Sequence, residues 1–355
     1  MEKPLTSAQS LEGRLLFAVP KKGRLQQATL NLLEGSDIQF RRENRLDIAL
    51  VKNLPIALIF LPAADIPTFV GEGQVDLGIT GFDQVQEYEA GYRNTTRARR
   101  MSGDVTPVSG KPRGCETVLD LGFGACKLQV QVPVNGIYTT GKDLIGKNIG
   151  TSFVHLTEEY FARLEAEEDG EQTDGEDWVP TKKLRTKIIE LSGSVEAACA
   201  LGVADGIVDL VGGLKSLSLL YPGALTKHIA ESGETMRAAG LKAIDTVVES
   251  SSILIKSKAP NNPDLVNLIG ARIRGVITAQ RFVLCQYNVP RSHLSEATKI
   301  TPGKRAPTIT QLDEEGWVAV SAMVEKKKIA LAMDELSKVG ATDILVLDIH
   351  NSRAY

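Results

Sequence analysis

The chain has 355 residues, of which 43% are hydrophobic and 24% are charged. At about 150 residues per domain, this length predicts two or three domains, and the composition excludes a chain that is disordered throughout. The 41 Lys and Arg residues against 44 Asp and Glu residues give a net charge of -3, so no overall positive charge attracts nucleic acid or an anionic membrane. Any bound phosphate must be held by a local site.

The cysteines and the apolar segments favour a reducing compartment and no membrane span. No CxxC motif or close pairing of Cys with His occurs in the sequence, so neither a disulfide framework nor a zinc site is indicated. The amino-terminal sequence contains too short an apolar run for a signal peptide, and no segment reaches the roughly 18 apolar residues of a transmembrane helix. We therefore expect a cytoplasmic protein. The four cysteines are Cys115, Cys126, Cys199 and Cys285.

Short apolar, β-branched runs alternate with segments of helical spacing at the start of the chain. Such runs are typical of buried strands, and their alternation with helices predicts an open α/β sheet. Three further runs indicate a second α/β lobe. The predicted strands are 14–20, 46–51, 56–62, 75–80, 126–134, 148–153 and 205–211, and the predicted helices are 23–35 and 63–73.

Two polar segments interrupt this pattern. Residues 90–117 are rich in Gly, Pro, Ser and Thr and are locally basic, which favours a solvated surface loop over a nucleic-acid-binding tail. Residues 165–182 are acidic and contain turn-forming residues, and we interpret them as a second exposed loop without an assigned function.

The pattern changes near residue 263. A long helix is followed by strand, loop, strand, helix and strand, which predicts a compact ferredoxin-like domain with its own core. The predicted helices are 263–280 and 326–340, the strands are 281–289, 317–324 and 343–349, and the loop is 301–310.

The most informative stretch lies around the apolar strand GIVDL. This strand places Asp209 near its carboxyl end, and a polar run follows before the helix-like RAAGL. In open α/β sheets such a junction is where ligands bind. Gly233 allows close approach of the backbone, and successive N–H groups with the Ser232 and Thr235 hydroxyls can hold a phosphate. Taken alone, the same pattern is an ordinary helix N-cap.

A longer signature emerges when residues 212–230 are left out. Joining Val211 to Glu231 gives DLVESGETMRAAGL, and with Glu196 upstream this order resembles the signature of the ATP phosphoribosyltransferase family. Segments along nearly the whole chain are similar to the long form of that enzyme in fungi. Among them are PKKGRL, FLPAADIPTFVGEG, CKLQVQVPV, RFVLCQYNVPR and VGATDILVLDI.

The resemblance implies an α/β fold with a two-lobed core of the periplasmic-binding-protein type II kind. The first lobe would comprise residues 1–117 and 247–262, and the second would comprise 118–246 with the phosphoribosyl pyrophosphate loop. Residues 263–355 would form a ferredoxin-like regulatory domain, similar to PII and ACT domains.

The resemblance also implies an activity and its partners. The family transfers the 5-phosphoribosyl group of phosphoribosyl pyrophosphate to N1 of ATP, with Mg²⁺, and releases pyrophosphate in the first step of histidine biosynthesis. Histidine is the expected feedback inhibitor, bound by the C-terminal domain, and a homohexamer built from dimers is the expected assembly. An allosteric effect would require that histidine shifts an equilibrium between quaternary states.

Phosphoribosyl transfer needs little nucleophilic machinery. Departure of pyrophosphate leaves an oxocarbenium-like ribose, so the protein mainly positions two anionic substrates and stabilises charge. Asp209 is expected to hold the ribose hydroxyls or Mg²⁺, and Lys22 and Arg24 to meet the triphosphate or the pyrophosphate. The expected catalytic residues are Asp209 and Lys22; the substrate-binding residues are Gly23, Arg24, Gly193, Ser194, Glu231, Ser232, Gly233, Glu234 and Thr235; and the histidine-binding residues are Ala341 and Thr342.

Each of these segments also has a plain structural interpretation as a solvated turn. Glu196 is a weaker candidate than its neighbours. Asp76, Thr80 and Gly81 either line the strand ends of the first lobe or only close a turn. A lone histidine such as His155 is more often structural than catalytic, so no general base is assigned.

Residues 212–230 break the phosphate loop where continuity matters most. We interpret them as a translated intron, with a lineage-specific loop as the alternative. Lengthening a loop from about 6 to about 25 residues costs only about 1 kcal/mol of closure entropy, whereas phosphate-binding N–H groups must converge closely. The chain is therefore predicted to fold but to be less active than one lacking 212–230. Other interpretations are an inactive product or a non-catalytic two-lobed ligand-binding protein.

Overall fold

The computed structural model describes residues 11–42, 46–101, 112–173, 175, 178, 180, 182–212 and 234–353. The chain divides into two compact units. Unit 1 comprises Met1–Leu30 and Gln39–Val266, and unit 2 comprises Asn31–Ile38 and Asn267–Tyr355. Across the described ranges, every helix is too short or too polar to cross a membrane.

Strands and helices alternate along most of the chain. The strands are β1 Leu15–Pro20, β2 Ile48–Leu50, β3 Ile56–Leu61, β4 Leu77–Gly81, β5 Cys115–Asp120, β6 Cys126–Pro133, β7 Asn148–Thr151, β8 Lys187–Glu190, β9 Gly206–Gly212, β10 Leu241–Ser250, β11 Ser252–Ser257, β12 Phe282–Pro290, β13 Thr308–Gln311, β14 Trp317–Glu325 and β15 Thr342–Asp348. The helices are α1 Gln26–Gly35, α2 Ile66–Gly71, α3 Phe82–Met101, α4 Val154–Glu168, α5 Glu234–Ala238, α6 Pro263–Arg281, α7 Leu294–Ile300 and α8 Ile329–Lys338.

A six-stranded sheet with the order β2-β3-β1-β4-β11-β5 forms the first lobe of unit 1. β1 is parallel to β3 and β4, whereas β11 is antiparallel to β4 and β5. Phe17, Leu58 and Leu77, on the three parallel strands, are fully buried. Central parallel strands are covered on both faces, which explains their continuous apolar runs.

A five-stranded sheet, β10-β6-β9-β7-β8, forms the second lobe and repeats the order of the first. In each sheet three parallel strands are arranged second, first, third, as β3-β1-β4 and β8-β7-β9. An antiparallel strand, β11 or β6, then adjoins the third. The chain therefore crosses between the sheets twice, from β5 to β6 and from β10 to β11. This duplicated topology is that of periplasmic-binding-protein type II folds, so the predicted two-lobed α/β core is confirmed.

Unit 2 contains a four-stranded antiparallel sheet with the order β13-β14-β12-β15. α7 follows the first of these strands and α8 follows the third, which gives the βαββαβ connectivity of a ferredoxin-like fold. Alternate residues of the two central strands face a buried cluster, which includes Tyr287 on β12, Val320 on β14 and Leu336 on α8. The predicted ferredoxin-like C-terminal fold is confirmed.

The prediction of a loop across residues 90–117 is wrong at both ends, and its residues 102–111 lie outside the described part of the chain. α3 continues to Met101, and β5 begins at Cys115. The helical pattern is weak because Ala90 is buried while residues 91–96 are exposed or half-buried. β5 lies at the edge of its sheet, and every residue after Cys115 in this strand is exposed or half-buried. Neither element therefore carries an apolar periodicity.

Two smaller predictions also need correction. α4 extends to Glu168, into the segment 165–182 that was expected to be a loop, because Phe161 and Glu165 on its inner face are buried. β13 occupies the end of the expected loop 301–310, where it pairs with β14 at the sheet edge with all four residues exposed.

Candidate active site

The carboxyl ends of three parallel strands in the second lobe lie at one edge of the sheet. In the pairing register, Thr151 at the end of β7 lies opposite both Glu190 of β8 and Val208 of β9. Asp209 is therefore one residue beyond this level, on the side where the loops after β7 and β8 begin. Such an edge is where α/β sheets bind ligands.

Asp209 is a half-buried carboxylate with a second acid nearby. Its Oδ1 accepts the N–H of Leu210 at 2.8 Å. Burial raises the pKa of Asp209, the Leu210 N–H lowers it, and the negative charge of Glu196 raises it further. The ionised carboxylate is thus unfavourable in this surrounding, and a cation or hydroxyl donors would stabilise it. Glu196, the weaker candidate from the sequence, is brought to the same site as Asp209.

The loop after β8 presents open backbone at this edge. Gly193 and Ser194 are exposed, and a Cβ added at Gly193 would meet no atom within 4 Å. Ser194 adopts a left-handed conformation with φ 51°. A short 3-10 helix, Val195–Ala197, follows, and buried Val195 anchors it. The loop thus has room for a ligand beside its backbone.

The expected phosphate loop is only partly within the described residues. Glu231, Ser232 and Gly233 lie outside them, whereas Glu234 and Thr235 begin α5, earlier than the expected start at RAAGL. Met236 and Ala239 pack against a buried cluster that is shared with the segment after β8. That cluster contains Val195, Ala198, Ala204, Ile207 and Leu241. The start of α5 and the loop 192–194 are therefore anchored on one core.

The basic loop after β1 reaches towards the second lobe. Lys22, Gly23 and Arg24 are exposed, and Gly23 has φ 86°. Arg24 Nη2 donates a hydrogen bond to the Sγ of Cys126 at 2.8 Å. Cys126 begins β6 and lies opposite Gly212 of β9. Asp209 is three residues before Gly212 on β9. The contact between Arg24 and Cys126 therefore lies about 10 Å from Asp209 along the strand direction.

A buried polar network behind Arg24 has no counterpart in the sequence analysis. Burial raises the pKa of the Cys126 thiol, whereas the positive charge of Arg24 and a hydrogen bond with Ser250 lower that pKa. Ser250 Oγ donates to Asp83 Oδ1 at 2.5 Å and accepts the N–H of Asp83 at 2.9 Å. Asp83, in the first turn of α3, is 1% exposed. The network thus connects a cation at the site to both crossover strands.

Other residues that the sequence singled out have structural roles. Asp76 precedes β4, at the end away from the candidate site, and its carboxylate accepts N–H groups of Leu16 and Asn261 at 2.9 and 2.7 Å. Thr80 donates to the carbonyl of Ala63 at 2.7 Å. Gly81 leaves room for the carboxylate of Asp83, which a Cβ would contact closely.

The expected histidine-binding residues lie at the start of β15. Ala341 is buried in the core of unit 2, and Thr342 is exposed and paired with Asn288 of β12. The flanking residues Gly340 and Asp343 have φ 82° and φ 49°. The turn before β15 is therefore sharply bent; the N–H groups of Gly340 and Ala341 donate to the carbonyls of Ser337 and Leu336, and the side chains of Thr342 and Asp343 are exposed.

The sequence matches the profiles of one family along most of its length. The profile described as ATP phosphoribosyltransferase matches residues 62–218 and 226–275, and that of the HisG C-terminal domain matches 279–351. This chain belongs to the ATP phosphoribosyltransferase family. The unmatched residues 219–225 lie inside the stretch 212–230 that interrupts the signature.

Relatives of this family align over nearly the full length. The chain is 56% identical to ATP phosphoribosyltransferase of Yarrowia lipolytica over 344 residues, covering 97% of this chain and 98% of that one. Identity to the enzymes of Schizosaccharomyces pombe and Saccharomyces cerevisiae is 52% and 51%, with the same coverage. Among solved structures, the ATP phosphoribosyl transferase (HisG:HisZ) complex from Thermotoga maritima is 20% identical, with a TM-score of 0.49 over 73% of this chain and 96% of that chain.

Proposed function

We propose that this chain transfers the 5-phosphoribosyl group of phosphoribosyl pyrophosphate to N1 of ATP, which gives phosphoribosyl-ATP and pyrophosphate. This reaction is the first step of histidine biosynthesis. The observation that carries the proposal is the 56% identity to an enzyme of that name across 97% of the chain. The position of Asp209 at the carboxyl edge of the second sheet supports it.

The chemistry assigned to each group follows its surroundings. Asp209 holds the ribose hydroxyls as positive charge develops on the ring. The backbone of Gly193 and Ser194, with Glu231, Ser232, Gly233, Glu234 and Thr235, holds the 5-phosphate. Lys22, Gly23 and Arg24 lie on the opposite lobe and meet the pyrophosphate or the triphosphate, and Lys22 stabilises the leaving charge.

The donor groups fit Mg²⁺ that is carried mainly by substrate phosphates. Where the structure describes the chain, no cluster of three or more His, Cys, Asp or Glu side chains could hold a metal. Glu196 raises the pKa of Asp209 through its negative charge, so these two acids offer a cation one or two carboxylate ligands, which is typical for Mg²⁺ with nucleotides. When bound, Mg²⁺ supplies positive charge to the leaving pyrophosphate.

The regulatory role and the assembly extend this proposal. Residues 263–355 act as the histidine-binding domain, in which Ala341 and Thr342 contact the inhibitor. Six copies of the chain form a homohexamer that is built from dimers. The catalytic lobes span 1–117 with 247–262, and 118–246. All four cysteines are free, which supports a reducing location such as the cytoplasm.

The test is a direct assay of the purified chain. Incubation with ATP, phosphoribosyl pyrophosphate and Mg²⁺ should produce phosphoribosyl-ATP, followed by its ultraviolet absorbance, together with pyrophosphate in equal amount. Omission of either substrate is the control. If ATP and phosphoribosyl pyrophosphate bind but no product forms with or without residues 212–230, the chain is a ligand-binding protein and the proposal is wrong.

A further inference from the structure

α3 of the first lobe supplies the cap for the first turn of α4 in the second lobe. Glu87 Oε1 accepts the N–H of His155 at 2.8 Å, and Glu87 Oε2 accepts the N–H of Leu156 at 2.9 Å. Phe153, at the N-cap position of α4, makes no capping hydrogen bond with its side chain. Helix N-termini leave N–H groups without intrahelical partners and favour negative charge. The carboxylate of Glu87 meets both requirements from the opposite lobe.

The contact continues for two turns along α3. Gly91, one turn after Glu87, lies against the ring of His155, and a Cβ at Gly91 would be 2.6 Å from His155 Cδ2. The close approach of the helices therefore depends on glycine at this position. Arg93 and Glu159 form an ion pair at 3.0 Å on the exposed side of the same contact. This set of contacts is called the α3–α4 clamp below.

Glu87 is a half-buried member of the clamp. Burial raises its pKa, and the two N–H groups and His155 lower it. Partial removal of a carboxylate from water is costly unless hydrogen bonds satisfy it, so the two N–H groups of α4 stabilise the Glu87 carboxylate in this position. The ion pair of Arg93 with Glu159 is exposed, and such pairs contribute little.

The clamp joins the elements that carry the two halves of the candidate site. α4 follows β7. The last residue of β7, Thr151, lies opposite Val208, the residue before Asp209 on β9. α3 follows β4, the neighbour of β1, and the loop after β1 carries Lys22 and Arg24. A cavity of about 470 Å³ beside the clamp is lined from both lobes, by Gln84, Glu87, Ser152 and His155 among others.

We propose that Glu87 is a positioning residue for phosphoribosyl transfer. Its carboxylate fixes α4, and with it the carboxyl edge of the second lobe, against the first lobe, so that Asp209 and the basic loop are correctly spaced before substrates bind. Because Glu87 already occupies the first turn of α4, no substrate phosphate binds there. This inference rests on the proposed function of the two halves of the site.

The experiment compares E87A and E87Q with the matched variant E159Q in the full chain. Hydrogen exchange at the amides of His155 and Leu156 reports the clamp, and steady-state kinetics with radiolabelled phosphoribosyl pyrophosphate report the reaction. We expect E87A to speed exchange at these two amides and to lower kcat about tenfold or more, since misplacement across the site costs rate. The KM for phosphoribosyl pyrophosphate should change less than about threefold, because its ribose and its 5-phosphate are both held within the second lobe.

The conservative variants separate positioning from a general loss of structure. E87Q keeps one acceptor oxygen and should be intermediate, and E159Q should stay within about twofold of the unsubstituted chain. Unchanged exchange at the two amides in E87A, or faster exchange with unchanged kcat, would overturn the inference. If the unsubstituted chain forms no product, the proposed function and the positioning role both fail, while faster exchange in E87A still demonstrates the clamp.

Discussion

Two buried serines at the crossover from β10 to β11 differ in one respect. Ser250 exchanges two hydrogen bonds with Asp83, at 2.5 and 2.9 Å. Ser252 is completely buried, and its hydroxyl has no hydrogen-bond partner within the described part of the chain. Replacing each by Ala removes the same oxygen atom. We expect S250A to be strongly destabilising and S252A to be neutral or stabilising.

The size of the difference follows from what each substitution leaves behind. In S250A the carboxylate of Asp83, only 1% exposed, loses a donor, and its N–H loses an acceptor. A hydrogen bond to a charged group contributes about 1.5–3 kcal/mol and a neutral one about 1 kcal/mol, so the loss is about 3 kcal/mol. For a unit of this size, each kcal/mol lowers Tm by about 2–4 °C, which gives about 6–12 °C. S252A instead removes a buried hydroxyl without a partner and should raise Tm slightly.

Differential scanning calorimetry of the three chains in one buffer measures both effects. Far-ultraviolet circular dichroism at low temperature checks that each variant is folded. Equal Tm values for S250A and S252A would refute the reasoning, because they would show that the hydrogen bonds of Asp83 contribute nothing beyond the packing of a serine side chain.

Two further substitutions and one deletion test the candidate site. D209N should lower kcat/KM by about a hundredfold without lowering Tm. The raised pKa of Asp209 means that its negative charge is unfavourable in the folded chain. A lower Tm in calorimetry would therefore contradict this account. G193A has open space for its methyl group and should leave Tm within about 1 °C while raising the KM for phosphoribosyl pyrophosphate about fivefold; an unchanged KM would place the phosphate elsewhere. Deleting residues 212–230 should raise the initial rate of phosphoribosyl-ATP formation about a hundredfold, and equal rates would mean that the stretch is a functional loop.

The sequence predicts most interior strands and misses most edge strands; the exceptions are the interior strand β11, which is missed, and the edge strands β2 and β15, which are predicted. β1, β3, β4 and β9 appear as apolar runs because both faces of a central strand are buried, as at Phe17 and Ile207. β5, β8, β10 and β13 lie at sheet edges, where exposed residues such as Glu116 and Thr308 replace the apolar pattern. α3 is missed for the same reason, since its residues 91–96 are all exposed or half-buried.

Some residues of the candidate site can be predicted from the sequence around them, whereas others depend on contacts between distant parts of the chain. Asp209 can be predicted from the apolar strand β9 that carries it, and the loop at Gly193 from its small residues beside Glu196. Cys126, Ser250 and Asp83 cannot, because their importance depends on contacts across more than a hundred residues of sequence. The sequence signals available for them are weak: an Asp in the first turn of a helix and a Ser between two strands.

The exchange of strands explains why such distant residues meet. Cys126 begins the strand that enters the second lobe, and Ser250 ends the strand that leaves it. These two positions are adjacent partners in the β6–β10 pairing, so the chain crosses between the lobes twice at one place. A residue of the first lobe that contacts this place, as Arg24 and Asp83 do, is held relative to both sheets at once. Asp83, which contacts the crossover, and Glu87, which caps α4, are one helical turn apart on α3, so this one helix is bound to the second lobe at both places, and a change at either one should alter the spacing between Asp209 and Lys22.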